Sequence, residues 1–387
     1  MKTKYIILFL LTLGFGAESS GQSWFSKFYN GWLTKPRNVD SSYIYQQSMG
    51  FSPSLTSNFS RQRVQMTTVY FIEEMPVMDE NYNLVLDENG NAQFVDFLLS
   101  AVDKMEEGVS SRVGAILGLG RLGAGWSFEV APDSSQKSST FMFSFRGNKF
   151  GLNINYLGFS QKVIERINWE PDIFLGEGFL QGNSDTIATD NRVRRLTVDA
   201  YYVINTRRFA YPPGIAGNMV QLRSAGSWML AGRYIQSDLS FNPDYAVGRF
   251  GMAQFSLGCG YSYTWVPWSR RPRENGKGMY TFFLNGTIIP MLTVFNYLST
   301  EPYLELDESI SGDKYGYFCW PTPNIMANAT MGFSWSKFYL GAQFNYNVFH
   351  FNTRNAITGG GLFHEKGLEV MGVLYEWNLM LKFQACF

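Results

Sequence analysis

Two histidines, His350 and His364, and three cysteines, Cys259, Cys319 and Cys386, carry all the imidazole and thiol chemistry of this chain. A histidine beside a serine could attack lipid esters, as an outer-leaflet hydrolase or acyltransferase does. His350 closes the outer end of an alternating segment, in phase with its apolar face, and His364 falls in a loop. Ser334 and Ser336 belong to the preceding segment but stand at its opposite end, so no dyad is expected and His350 reads as a rim residue. The cysteines are odd in number and far apart, which gives neither a disulfide framework nor a metal spacing. No catalytic residue, metal or cofactor is predicted.

The carboxylates add little. Acid–base work needs paired carboxyl groups with separated pKa values. The acid-rich stretch 301–313, Glu73 with Glu74, and Glu106 with Glu107 all read as solvated surface. Asp87, Glu88, Asn89, Gly90 and Asn91 superficially resemble a calcium loop. Ala92, however, stands where that loop needs glycine, and Leu98 where it needs a bidentate glutamate. With 32 basic and 32 acidic residues, and no basic run with interleaved aromatics, nothing is offered to nucleic acid.

The composition points instead to lipid. Aromatic residues make up 17% of the 387-residue chain and charged residues only 17%, against about a quarter charged in soluble proteins. Lys2 and Lys4, an apolar run from Tyr5 to Phe15 and small residues from Gly16 to Gly21 predict a signal peptide over 1–21, cleaved near Gly21 and Gln22. A periplasmic segment, 22–48, is expected to follow, and then a barrel over 49–387. No later apolar run reaches the roughly 20 residues of a spanning helix.

What remains is a period of two. From Ala253 to Trp265, the residues Phe255, Leu257, Cys259, Tyr261 and Tyr263 alternate with Gln254, Ser256, Gly258, Gly260 and Ser262. Similar alternation marks 49–59, 109–117, 122–130, 141–145, 152–156, 194–205, 224–234, 279–290, 325–334, 338–348 and 377–387. The pattern predicts an all-β fold: an antiparallel transmembrane barrel of about twelve strands, with long external loops. Trp126, Trp228, Trp265 and Trp377 are expected at the two lipid–water boundaries. Leu381, Phe383 and Phe387 form a C-terminal signal for the barrel-assembly machinery, the expected partner besides outer-membrane lipid.

The polar phase predicts a lumen lined by Arg112, Glu129, Arg146, Asn153, Asn155, Arg195, Asp199, Arg233, Gln254, Asn328, Gln343 and Asn345, with Asn285 a further candidate. Inward glycines, among them Gly114, Gly123, Gly125, Gly258, Gly260, Gly332 and Gly341, are expected to leave open space, and Arg112, Arg195 and Arg233 to favour anions. Phe94, Val95, Leu98, Leu99, Val102 and Met105 recur at helical spacing, which predicts one short helix in the external loop over about 60–108.

Arg146-Gly-Asn-Lys-Phe-Gly151 with the following Asn153 to Tyr156, Tyr201 to Asn205 with Arg207, Arg208 and Phe209, Ser224 to Gly232, and Leu257 to Tyr263 occur in an order that resembles a Bacteroidetes outer-membrane family catalogued as domain of unknown function 4421. The likeness runs from about Met49 to the C-terminus. It implies a barrel in the outer membrane of a Gram-negative cell and implies no reaction. The leading expectation is a non-enzymatic narrow channel or a surface- or ligand-binding barrel. An outer-leaflet lipid-modifying enzyme and a structural or adhesion barrel acting through its loops are the alternatives.

Overall fold

Strands that are apolar on one face and polar on the other bury neither face alone. Rolling them into a closed sheet turns the polar faces inward and satisfies every backbone edge. The computed structural model describes residues 38–46, 50–76, 84–87, 89–106, 110–130, 138–147, 149–169, 184–211, 219–240, 247–271, 278–302, 315–352, 356–358 and 369–387. The expected signal peptide, 1–21, and its cleavage site lie outside them.

In chain order the strands are β1 (Ile44–Gln46), β2 (Phe51–Pro76), β3 (Phe94–Glu106), β4 (Ser110–Leu119), β5 (Leu122–Glu129) and β6 (Ser138–Arg146). Next come β7 (Phe150–Trp169), β8 (Ser184–Val203), β9 (Met219–Gln221), β10 (Ala225–Ser240), β11 (Val247–Arg270) and β12 (Tyr280–Pro302). The last are β13 (Tyr315–Cys319), β14 (Pro323–Trp335), β15 (Phe338–Asn352), β16 (Ala356–Thr358) and β17 (Glu369–Ala385). Twelve of these, β2, β4, β5, β6, β7, β8, β10, β11, β12, β14, β15 and β17, pair antiparallel with their neighbours, and β17 returns to β2 to close the barrel. The closing seam runs from Gln384 opposite Ser54 to Glu369 opposite Val69.

The outer face is apolar. Leu55, Phe128, Ile288 and Leu340 are each more than half exposed, and Trp126, Trp228 and Trp265 also point outward. In water so continuous a greasy belt would be an aggregation site; around a closed sheet it is the surface that meets lipid. Leu381, Phe383 and Phe387 belong to this face, while Lys382, Gln384 and Cys386 turn inward. Short turns at Gly120, Gly147 and Ser336 lie at the same end as the C-terminus, called lower below. Ser336 takes a left-handed φ of 51°, the one described non-glycine residue to do so, in the tight β14–β15 hairpin.

One expectation fails. Residues 94–106 form no helix; they are β3, and among the described residues there is no helix. Above the membrane β4, β5 and β6 have ended, while β2 and β7 run on. The continuing edges need partners, and β3 hydrogen-bonds to β2 along one side and to residues 164–169 of β7 along the other. Two ladders satisfy the backbone that a helix would have satisfied internally, so tertiary pairing overrides the helical spacing.

The lower end is covered by a separate two-stranded sheet. β1 pairs with β9 from Ile44 opposite Gln221 to Gln46 opposite Met219, with Ile44, Ala210 and Met219 buried together. Asp40 starts this segment as a side-chain turn, accepting from the Ser42 amide at 2.9 Å and the Ser42 hydroxyl at 2.6 Å. The Ser42 hydroxyl, then its amide, hold the Asp40 carboxyl below its ordinary value, and Arg208 at 3.7 Å adds a smaller, solvent-screened pull. A depressed folded pKa stabilises docking above the unfolded pKa and loses that stabilisation as pH falls through the folded value. Exchange of the Ile44 amide, corrected for its intrinsic rate, is therefore expected to rise below about pH 4. In Asp40→Ala it is expected to be raised already at neutral pH and insensitive to pH across that range.

Candidate functional site

Inward side chains divide the lumen into three layers. The middle one is ionic. Arg195 on β8 reaches across the barrel to pair with Glu376 on β17. The other Glu376 oxygen accepts from Asn347 Nδ2 at 3.4 Å, and Asn347 Oδ1 accepts from Arg233 at 2.6 Å. Arg233 on β10 is paired in turn with Asp199, directly opposite it on β8. With its amide oriented to satisfy both groups, Gln62 of β2 accepts from Arg195 at 2.9 Å and 3.2 Å. Two arginines and two carboxylates thus form a continuous bridge between facing walls. Taking such charges out of water is costly, and the arrangement holds because each finds its counter-charge and supporting hydrogen bonds.

Above this bridge the walls meet through apolar side chains. Val64, Val193, Leu239, Phe250, Met252, Phe351 and Leu374 are all buried, from six different strands, around a residual void of about 10 Å³. The rings of Phe250 and Phe351 lie 4.9 Å apart.

Below it, the link after β8 folds up into the barrel. Phe209 is fully buried against Tyr201, Val203, Met229, Ile289 and Met291, and Tyr211 packs edge-on to Tyr201 at 5.0 Å. The Tyr211 hydroxyl reaches Asn328 at 3.4 Å. Gln221 holds this link: its amide donates to the Arg208 carbonyl at 2.7 Å and the Arg223 carbonyl at 2.8 Å, and its oxygen accepts from the Ala210 amide at 3.0 Å. Between plug and apolar layer lies a cavity of about 230 Å³.

Arg112, Arg146, Asn153, Asn155, Arg195, Asp199, Arg233, Asn328, Gln343 and Asn345 line that cavity. Glu129 stands at the upper end of β5, opposite Arg112, and accepts from the Ser138 amide at 2.8 Å. Gln254 is fully buried and works as a staple, donating to Asn296 at 3.1 Å and to the His350 carbonyl at 2.9 Å. Asn285 also ties strand to strand, through Ser262, Thr264 and the Tyr263 carbonyl.

The expectation that inward glycines leave open space is corrected. A Cβ at Gly341 would lie 1.9 Å from the Tyr339 hydroxyl, and one at Gly332 would lie 2.4 Å from the Phe283 ring. Gly258 and Gly260 likewise make room for Met291 and Ile289. These positions are bare because large neighbours lie flat over them. Nor do Arg195 and Arg233 stand as open anion-selecting charges, since each is ion-paired.

His350 keeps its outward phase; its ring Nδ1 lies 2.9 Å from the Pro323 carbonyl. Ser334 is inward and pairs with Tyr339 at the bottom of β15, roughly 35 Å along the strand from His350. The two cannot form a dyad. His364 lies outside the described residues. The cysteines are separate thiols: Cys259 faces out, Cys319 is buried near the top and Cys386 is buried at the base. Asp87 ties its turn by accepting from the Asn89 and Asn91 amides, both at 2.8 Å, which leaves Gly90 at a left-handed φ of 84°.

Sequence reasoning put Asn347 in the inward phase of 338–348 without singling it out, and missed Glu376, Tyr211 and Phe209. Glu376 shares the inward phase of Asn378 and Lys382 and needed only a longer β17. Tyr211 and Phe209 sit in an irregular link, where no periodicity marks an inward turn.

The family model described as Domain of unknown function (DUF4421) matches residues 109–364. A comparison with curated proteins finds no match. Among solved structures, the chain is similar to the outer membrane protease OmpT of Escherichia coli at 9% identity, over 86% of this chain and 97% of that one, with a TM-score of 0.31. It is similar to a loop-deletion mutant of OmpT, an outer membrane protein of Vibrio cholerae, at 9% identity over 83% and 99%, with a TM-score of 0.27. It is also similar to the toluene transporter TodX of P. putida at 7% identity over 92% and 99%, with a TM-score of 0.23. None of the three bears on the chemistry of the lumen.

Proposed function

Since the chain belongs to the family of domain of unknown function DUF4421, whose description assigns no reaction, we propose from its interior that it is a non-enzymatic outer-membrane barrel holding a small polar solute in a closed lumen. The observation that carries this reading is the cavity of about 230 Å³ between the apolar layer and the folded-in link. Its wall sets amides, hydroxyls and ion pairs among apolar side chains such as Ile116, Leu157, Met291 and Met326, and the polar groups orient a solute by hydrogen bonds. A standing pore would need an unobstructed lumen, and here an apolar layer and an ionic bridge cross it, with the link after β8 folded in beneath them. The lower end, with its short turns and C-terminus, is then periplasmic, and the extended β2, β3, β7 and β8 project outward.

Planar-bilayer recordings of the purified chain are expected to be silent, while native mass spectra retain a small adduct. Regular unitary conductance steps from the wild-type chain would overturn the closed-lumen reading.

A further inference from the structure

The chain carries as many bases as acids, yet they are unevenly placed along it. Between β2 and β3 stand Asp79, Glu80, Asp87 and Glu88 with no base, and between β12 and β13 Glu305, Asp307, Glu308 and Asp313 outnumber Lys314. The lower end is the reverse. From Ile204 to Arg223 the charged residues are Arg207, Arg208 and Arg223, and no Asp or Glu occurs between Asp199 and Asp238.

These arginines gather on the cap. An open cleft of about 480 Å³ is bounded by Asn38, Val39, Asp40, Asn205, Arg207 and Arg208. Its frame is tied by backbone: the Asp40 amide donates to the Arg207 carbonyl at 2.8 Å, and the Leu222 amide to the Tyr43 carbonyl at 2.7 Å. One ring steadies two of the charges, since the guanidinium carbons of Arg208 and Arg223 lie 5.1 Å and 5.9 Å from the Tyr43 centroid. All three arginines are exposed. The single carboxylate beside them is Asp40, 3.7 Å from Arg208 and already accepting from the Ser42 amide and hydroxyl. Arg207 and Arg223 form no ion pair among the described residues.

Three guanidinium groups against one occupied carboxylate leave a surplus of positive charge around a cleft. The planar guanidinium fork matches carboxylates two bonds at a time, and stacking on a ring reduces the freedom lost when it does so. Location decides between anions. Phe209, the residue after Arg208, is buried inside the lumen, so the arginines stand beneath the barrel mouth. Lipid headgroups meet the perimeter instead, where Lys149 lies over the Tyr202 ring and Lys337 follows the exposed Trp335. The chain's own residues 22–37 carry Lys27, Lys35 and Arg37 and no acid, so their charge does not suit the cleft.

We propose that the cleft formed by Arg207 and Arg208, with Arg223 beside it, docks an acidic, extended peptide segment of a partner protein on the periplasmic side. The cleft lies outside the lumen, so this interaction holds or fails whatever the cavity contains.

Fluorescence anisotropy of a labelled oligoglutamate peptide, titrated with the full chain in nanodiscs of zwitterionic lipid, is the test. Saturable binding that weakens with added salt is expected. Arg207→Gln and Arg223→Gln are each expected to weaken it about threefold and together about tenfold, as exposed ion pairs do. Lys337→Gln, at the β14–β15 turn on the rim, is expected to leave it unchanged. Exchange of the Ile44 amide, unaltered in Arg207→Gln, shows that the cap stays docked. No saturable binding by the wild type overturns the site, and so does an equal loss in Lys337→Gln, which would mean a diffuse field. Retention of anionic phospholipid through Arg207, with the peptide ignored, would assign the cap to lipid and overturn it as well.

Discussion

Glu376→Ala is expected to destabilise the barrel by about 3–5 kcal/mol, the cost of leaving a buried counter-charge without its partner. The charge left behind is Arg195, whose side chain is 5% exposed and which spans the lumen to reach Glu376. Asn347 loses its acceptor at the same time, and through it the bridge to Arg233 is cut. Urea titration in phospholipid vesicles reads the loss. The double variant Glu376→Ala with Arg195→Met is expected to be markedly more stable than Glu376→Ala alone, because it removes the orphaned guanidinium as well. If the two losses simply add, the cross-barrel pair is a coincidence of neighbouring side chains and not a coupled bridge. Conductance is expected to stay closed in both variants, since the apolar layer above and the plug below are barriers in series with it.

The second large effect belongs to the plug. Phe209→Ala removes a fully buried ring from a cluster shared by β8, β10, β12 and β14, at an expected cost of about 3–5 kcal/mol. This loss should be local where that of Glu376→Ala is global. The link carries its own hydrogen bonds through Gln221, so losing its anchor frees residues 204–211 before the barrel opens. Exchange of the Ala210 amide is the readout, expected to quicken far more than exchange of amides in β14 or β15. Equal acceleration at both places would mean that the link is an integral part of the barrel and not a separable plug.

The barrel itself was legible because its signal is redundant. The alternation of Leu257, Cys259 and Tyr261 with Ser256, Gly258 and Gly260 repeats in strand after strand, and each repeat fixes one register. Ten of the expected lumen residues reach the cavity for that reason. Expectations failed where a local pattern had a tertiary competitor. The helical spacing of Phe94 to Met105 is present in the sequence, but the free edges of β2 and β7 are not visible there, and they decide the outcome. The inward glycines were misread for a related reason: a missing side chain marks space, and only packing shows that Tyr339 or Phe283 fills it. Phe209 and Tyr211 could not be placed at all, since a link has no face.

One strand standing where three stood below has a geometric cost for anything passing through. From β2 to β7 the trunk has four inter-strand gaps, by way of β4, β5 and β6, and higher up it has two, by way of β3. At about 4.8 Å per gap, the wall is shorter there by roughly 10 Å of perimeter. The molecule is therefore shaped like a flask, its shoulder drawn in on one side at the upper end. A guest entering from that end would meet the narrow neck before the wider vessel beneath it.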